Sequence, residues 1–250
     1  MAKHHILGID VGASGIKGAI VDVKTGELLT ERHRVPTPQP ATPAAMTSAF
    51  EELLGMFDYD GEHIGVGFPA IVQRGVAMSA ANIHPDWIRT SVEKLWSKAS
   101  GKRVHCLNDA DAAGVASVEF GSAKQEDGVV CFLTIGTGIG SALFFENKLI
   151  PNSELGHIYM PNGMKAEHYA SNKTRKMLDL SWTEWGQRFD EVLAQVERVV
   201  SPDLILLGGG ASKRFDLYKD CFNITCPIAP AQFKNQAGSI GAAIYASKRQ

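Results

Sequence analysis

The sequence predicts an α/β protein built from two similar lobes, and three glycine-rich segments carry that expectation. Gly8-Ile9-Asp10-Val11-Gly12-Ala13-Ser14-Gly15-Ile16-Lys17-Gly18 lies between two apolar runs with strand character. Leu133-Thr134-Ile135-Gly136-Thr137-Gly138-Ile139-Gly140-Ser141 repeats that layout in the second half of the chain, and a further apolar run ends in Leu206-Leu207-Gly208-Gly209-Gly210. A glycine turn carries no Cβ atoms, so successive backbone N–H groups can converge on an anion. One such turn is weak evidence. Two, followed by a triple glycine, point to a phosphate chain held between two similar domains.

The elements follow in order. Residues 5–11, 15–23 and 28–35 read as three consecutive antiparallel strands, with Thr25-Gly26-Glu27 as the second turn. Residues 36–43 hold four prolines, which forbid both helix and ladder pairing and make the segment extended. A helix is expected over 44–57, with Phe50, Leu53, Leu54 and Phe57 on one stripe, then a strand over 63–68 and a hairpin around Gly75. A helix over 90–99 and a strand over 103–107 complete the first half. Residues 129–135, 140–146 and 148–150 then repeat the opening strand–turn–strand unit. Residues 182–200 form the longest helix, capped by Ser181 or Thr183 and stopped by Ser201-Pro202. A strand over 204–207 and a small-residue helix over 238–245 close the chain. Such repetition is the sequence mark of a duplicated actin-like (ribonuclease H-like) fold with an interdomain cleft. The expected lobes are residues 1–107 and 108–235, joined by a compact hinge near Asn108, with 236–250 packing back on the first.

Composition sets the class. At 250 residues, 44% apolar and 21% charged, the chain can bury an ample core. A net charge of -2 argues against a nucleic-acid surface spread over the whole molecule. The four scattered cysteines, Cys106, Cys131, Cys221 and Cys226, read as buried thiols of a reducing compartment rather than disulfides or metal ligands. No apolar run reaches membrane-spanning length and no secretion signal is recognisable, so a cytoplasmic protein without membrane partners is expected.

Several residue groups could carry chemistry, and each has an ordinary structural explanation beside it. Asp10, at a strand end before the first glycine turn, could hold Mg²⁺ or its water shell beside a phosphate, or could bond its own turn. Lys17 could meet phosphate oxygens or solvent. Asn108-Asp109-Ala110-Asp111 follows a strand and opens a helix, where Asn caps and acids suit the positive helix end. Alternatively one carboxylate there is a general base for a hydroxyl. Glu154-Leu155-Gly156-His157 sets a carboxylate and an imidazole about a turn, a weak metal signal. Lys165, His168, Lys173, Arg175 and Lys176 form either a solvated helix face or an anion site.

Taken together, Asp10-Val11-Gly12-Ala13-Ser14-Gly15-Ile16-Lys17, Asn108-Asp109-Ala110-Asp111, Gly136-Thr137-Gly138-Ile139-Gly140 and Glu154-Leu155-Gly156-His157 resemble the ROK family of sugar kinases, over essentially the whole chain. Within that family, Pro36 to Pro43, Ile150-Pro151-Asn152-Ser153-Glu154 and Ser181-Trp182-Thr183-Glu184-Trp185 are similar to the branch of bacterial polyphosphate glucokinases. The resemblance implies phosphoryl transfer from inorganic polyphosphate to the 6-hydroxyl of glucose, with Mg²⁺ as cofactor and a homodimer as the assembly. It implies that Asp109 is the base and that Asn108, Asp109, Glu154, His157 and Glu167 bind sugar hydroxyls, with Ala70 and Asn82 as neighbours. Asp10, Gly12, Ala13, Ser14, Gly15, Lys17, Thr134, Gly136, Thr137 and Gly138 would surround the transferred phosphate, and Gly209 and Gly210 would lie where a nucleotide sits if one is used. Many members continue the Glu-x-Gly-His motif with a three-cysteine zinc site. No cysteine lies between Cys131 and Cys221 here, so no zinc site is expected, and Glu167 stands where that site ends. The nearest alternative is an ATP-dependent hexokinase (glucokinase or mannokinase) of the same family. The family's repressors carry a DNA-binding domain ahead of the first glycine turn; the short segment before Asp10 leads to the expectation of none. A filament-forming protein of the same fold has no need of Asn108-Asp109, Glu154 and His157.

Overall fold

Apolar strands joined by a two-residue turn begin the fold. β1 (His5–Gly12) and β2 (Gly15–Asp22) pair antiparallel from His5↔Asp22 to Gly12↔Gly15, leaving Ala13 and Ser14 as an exposed loop. The computed structural model describes residues 4–124 and 126–249. The third expected strand is split into β3 (Glu27–Leu28) and β4 (His33–Val35), both pairing with β2. The reason lies at Thr30, whose hydroxyl accepts the Ile20 N–H at 3.1 Å, while the Leu29 N–H donates to Ile20 O. A side-chain oxygen thus replaces a ladder carbonyl and the strand breaks there.

The proline segment ends one residue earlier than expected. Thr42 caps α1 (Pro43–Leu54), and Pro43 occupies its first turn, where a missing N–H is no loss. β5 (His63–Phe68) is buried along its whole length, as a central parallel strand must be. β6 (Val72–Gln73) and β7 (Val76–Ala77) form the hairpin around Gly75, with positive φ at both Arg74 and Gly75. α2 (Val92–Ser100), capped by Ser91, leads to β8 (Arg103–Asn108), and α3 (Asp109–Phe120) follows without a linker. The first sheet has the order β3-β2-β1-β5-β8, with β1, β5 and β8 parallel. Its core is aromatic: Phe50 stacks on Trp96 with centroids 4.4 Å apart, and Phe68 meets Trp87 edge-on at 4.8 Å.

The second sheet repeats this plan. β9 (Val129–Ile135) and β10 (Ile139–Phe145) are antiparallel about the second glycine turn, and β11 (Lys148–Ile150) pairs with β10. α4 (Ala166–Ala170), α5 (Asn172–Met177) and α6 (Trp182–Val200) come next. Ser181 is the cap of α6: its hydroxyl accepts the Glu184 N–H, and Glu184 reaches back to the Ser181 N–H. β12 (Leu204–Gly208), α7 (Gly209–Ser212) and β13 (Ile228–Pro230) complete the order β11-β10-β9-β12-β13, again with three parallel strands after an antiparallel hairpin. Trp185, Phe189 and Tyr218 fill this core.

α8 (Ala237–Ser247) packs on β1, β5 and α3. Gly8 faces the Ser239 carbonyl, Gly65 the Ala242 carbonyl, and Gly241 the Ala112 carbonyl, each so closely that a Cβ would overlap backbone. Ala and Gly dominate this helix because only they permit that approach. The chain divides into two compact units. The first comprises residues through Ala116 together with those from Gln236 onward, and the second is Ser117–Asn235. The division falls inside α3, past Asn108. Cys106, Cys131 and Cys226 are buried and Cys221 is half-buried. Burial pushes the Cys131 thiol up to about 12, which keeps it inert at neutral pH. Among the described residues no helix is long and apolar enough to cross a membrane.

Candidate functional site

In the first unit, β8 ends at Asn108 and α3 begins at Asp109, so these two side chains sit where a buried strand gives way to a helix N-terminus. Asn108 is the cap. Its Oδ1 accepts the N–H groups of Ala110 at 2.8 Å and Asp111 at 3.1 Å, and its Nδ2 donates to the Ala70 carbonyl at 3.1 Å. Ala70 is thereby tied to Asn108 through its backbone. Asp109 is half-buried, and its Oδ1 also receives the Ala110 N–H at 2.9 Å. It stands at the positive end of α3, where a carboxylate is favoured, while Asn108 takes two of the first backbone N–H groups. Asp111 is fully buried and offers nothing to a solvent-borne substrate, whereas Asn82 is exposed in the loop after β7.

The first glycine turn is charged. Asp10 and Lys17 are a cross-strand pair, with Lys17 Nζ 3.7 Å from Asp10 Oδ2. Burial raises the Asp10 pKa, opposed by the positive charges of Lys17 and Arg32. Gly238 lets α8 come up against the Asp10 carboxylate, where a Cβ would collide. Two residues that sequence reasoning missed brace the loop. Arg34 on β4 donates to the Ser14 carbonyl and lies against Gly15, and the Thr37 hydroxyl donates to the Gly12 carbonyl at 2.6 Å. The pairing Lys17↔Arg34 puts both cations beside this turn.

In the second unit, Glu154, His157 and Glu167 come together. His157 Nδ1 stands 3.7 Å from Glu154 Oε2, and His157 Nε2 stands 3.3 Å from Glu167 Oε1. His168 Nε2 approaches the same Glu167 oxygen at 3.7 Å. Burial raises the Glu154 pKa; the His157 imidazole opposes this and the Glu167 carboxylate adds to it. The Glu154 backbone is clamped by Ser141 on β10, unnoticed in the sequence because a strand serine has no signature. The Ser141 hydroxyl donates to Ser153 O at 2.7 Å and accepts the Leu155 N–H at 2.9 Å, gripping the peptides on both sides of Glu154. Gly156 must be glycine, since a Cβ would overlap the Ile139 carbonyl.

The second glycine turn adjoins this trio. Gly138 lies close enough to the Glu167 carboxylate that a Cβ there would push that side chain aside. The Gly136 N–H donates to Gly138 O at 3.0 Å, and Gly136 O accepts the Lys173 N–H at 3.2 Å. Thr137 is exposed, Thr134 is half-buried between β10 and β12, and Gly209 bridges to Ile135 with φ of 76°. Gly210 is exposed, with only Asn172 Nδ2 near the position a Cβ would take. The basic cluster divides. Lys173 and Lys176 are exposed, but Arg175 lies 4.1 Å over the Trp182 ring and donates to Asn172 Oδ1 and Leu180 O. Arg175 is a structural residue.

Comparison with known proteins decides the family. The model of the ROK family matches residues 6–174, most of the chain, including both glycine turns, Asn108-Asp109 and Glu154-Leu155-Gly156-His157. The chain belongs to the ROK family of sugar kinases. This ROK chain is 40% identical over 243 residues to the polyphosphate glucokinase of Mycobacterium tuberculosis, covering 97% of its own length and 91% of the relative's. It is 43% identical, with a TM-score of 0.93, to the inorganic polyphosphate/ATP-glucomannokinase of an Arthrobacter strain, covering 98% of its own length and 99% of that chain. The fold is also that of the Streptomyces griseus ROK family glucokinase solved with glucose and AMPPNP, at a TM-score of 0.81 and 22% identity.

Proposed function

We propose that this protein transfers the terminal phosphoryl group of inorganic polyphosphate to the 6-hydroxyl of glucose, with Asp109 as general base. In the step, the sugar O6 bonds to the terminal phosphorus, the P–O bond to the chain breaks, and the hydroxyl proton passes to the Asp109 carboxylate. The polyphosphate leaves one unit shorter. The observation that carries this reading is that Asn108 caps α3, which leaves Asp109 a half-buried carboxylate with no main capping duty. Near-full-length similarity to relatives named for polyphosphate supports the donor. Glu154, His157 and Glu167 would bind sugar hydroxyls, each carboxylate accepting from more than one, so that a sugar lacking a hydroxyl leaves a half-buried acceptor unpaired.

Phosphoryl transfer depends on alignment and charge neutralisation more than on covalent chemistry. The backbone of Gly12 to Gly15, the Lys17 ammonium and the second turn at Gly136 to Gly138 would supply much of that. Asp10 fits Mg²⁺: it is a hard oxygen donor, and burial has raised its pKa, a state that a neighbouring cation relieves. Bound there, Mg²⁺ would neutralise phosphate charge. Use of ATP is the second reading, favoured by the Arthrobacter relative being named for both donors and by the exposed Gly210. Steady-state kinetics with glucose, comparing polyphosphate and ATP at matched Mg²⁺, tests the donor. Efficient turnover with polyphosphate and poor turnover with ATP is expected. Good use of ATP with no use of polyphosphate would leave an ATP-dependent hexokinase.

A further inference from the structure

At the end of β1 away from its glycine turn, three ligating side chains converge. His4, His5 and Asp22 each offer one ligand atom, all within 4.8 Å of one another, and all three residues are half-buried. The backbone fixes each of them. His5 and Asp22 are directly opposed across the β1–β2 ladder, and the carbonyl of His4 accepts the Val23 N–H at 2.9 Å, so the pairing extends one residue beyond the strand. The two imidazoles meet edge-to-face with centroids 4.6 Å apart, and His4 Nε2 faces Asp22 Oδ2 at 4.0 Å. The other Asp22 oxygen, Oδ1, accepts the Lys24 N–H at 2.9 Å. That bond orients the carboxylate with Oδ2 toward the histidines, as an outer-shell partner orients a metal ligand.

We propose that His4, His5 and Asp22 bind one divalent transition cation of the Zn²⁺ or Co²⁺ class. Two neutral imidazoles and one carboxylate are the donor set such borderline ions prefer, and they select against Mg²⁺, which takes oxygen ligands. The ligand atoms stand wider than a bound site requires, and an ion would draw them in by side-chain rotation on a backbone the ladder already fixes. The site is separate from Asp10: five strand residues at ~3.3 Å each place it ~17 Å along β1. A bound ion would pin the entry of the chain to the start of the β2–β3 turn, which makes it structural rather than part of phosphoryl transfer.

The test is titration of the metal-free protein with Co²⁺, read by its visible absorption, with Zn²⁺ displacement and Mg²⁺ as the control. One equivalent of Co²⁺ should bind, Zn²⁺ should displace it, and Mg²⁺ should not compete. His4→Ala should weaken binding at least about tenfold, the lower end of what even outer-shell changes cause. Asp22→Asn should do the same while keeping the bond from Lys24 N–H. His157→Ala, in the second unit, should leave the titration unchanged. A null titration overturns the proposal. So does one-to-one binding that survives His4→Ala, or binding that His157→Ala abolishes, since the ion would then sit with Glu154 and Glu167. Should Asp22→Asn fail to fold, His4→Ala decides the matter, because it contributes only its backbone to the sheet.

Discussion

The two glycine turns share one architecture and differ in charge. Each joins an antiparallel hairpin whose first strand has a parallel neighbour, β5 for one and β12 for the other. Two residues before the first glycine of each turn, Gly12 or Gly136, the cross-strand pair is Asp10↔Lys17 in one and Thr134↔Gly140 in the other. The first turn is braced from outside by Arg34 and Thr37, while the second closes on itself through Gly136 and Gly138 and lies against Glu167. The same glycine hairpin therefore stands in both units. The Asp10–Lys17 pair, and Asp109, the base proposed above, stand in the first unit; the carboxylate–imidazole trio stands in the second. On this comparison, changes in the first unit should strike turnover and donor use, and changes in the second should strike sugar use.

The sharpest break would come at Asp109. Asp109→Asn should lower kcat about 10²–10⁴-fold, the usual worth of general acid–base catalysis. Its thermal unfolding should stay unchanged, because Asn108 does the capping. Near-normal turnover would remove the chemistry from the first unit altogether. Glu154→Ala and Lys17→Ala make a reciprocal pair. A hydrogen bond to a charged group is worth about 1.5–3 kcal/mol, so each should raise one KM roughly 10–150-fold. Glu154→Ala should act on glucose and leave the donor alone, and Lys17→Ala should do the reverse; a shared effect on both substrates would dissolve the division.

Smaller effects sharpen the picture. Ser141→Ala removes neutral hydrogen bonds worth about 1 kcal/mol each, so KM for glucose should rise roughly fivefold or more with kcat little altered. Restoration by Ser141→Thr, which returns the hydroxyl, would mark Ser141 as positioning Glu154 rather than merely filling space. Paired Lys173→Ala and Lys176→Ala changes should raise the polyphosphate KM and flatten its dependence on salt, as loss of cation contacts does for any polyanion. If the two lysines only face solvent, neither quantity will move. Finally, the first unit alone carries a stacked histidine pair, His63 and His105, with ring nitrogens 2.9 Å apart. Burial lowers both pKa values, and neighbouring positive charges lower them further. The unfolded chain therefore binds more protons, and the stability this pair contributes is present above about pH 6.5 and lost as the pH falls below it. Urea titrations from pH 7.5 to acid should show that loss, and replacing both histidines with Asn should flatten it; an unchanged slope would place the acid sensitivity elsewhere.

Much of this was legible in the sequence because it follows from local rules. The glycine turns, the sheet-forming repeats, the capped helix from Trp182 and the small-residue helix each have a signature within a few residues. So did the family, through motifs at fixed spacing. What could not be read depends on partners distant in sequence. Thr30 breaks a strand by bonding Ile20, Arg34 braces a loop through Ser14, and Ser141 clamps Glu154. Asn108 had two complete explanations from sequence, and only the hydrogen bonds of its amide separate the cap from the carboxylate beside it. In sequence Arg175 is one more cation of the basic cluster; in the fold its guanidinium lies over the Trp182 ring.

The packing of α8 on β1, β5 and α3 bears on how the protein is made. A ribosome delivers the chain in order, and domains generally fold as their sequences emerge, the earliest first. Here the first unit is completed only by residues from Gln236 onward. The second unit is one continuous stretch, whereas the first sheet has to wait for the helix whose glycines and alanines seal it. Throughout synthesis of residues 117–235, the apolar face of β1 and β5 that α8 covers lies open. Gly8 and Gly65, bare of side chains, leave a strip of backbone there that nothing shields until α8 is made.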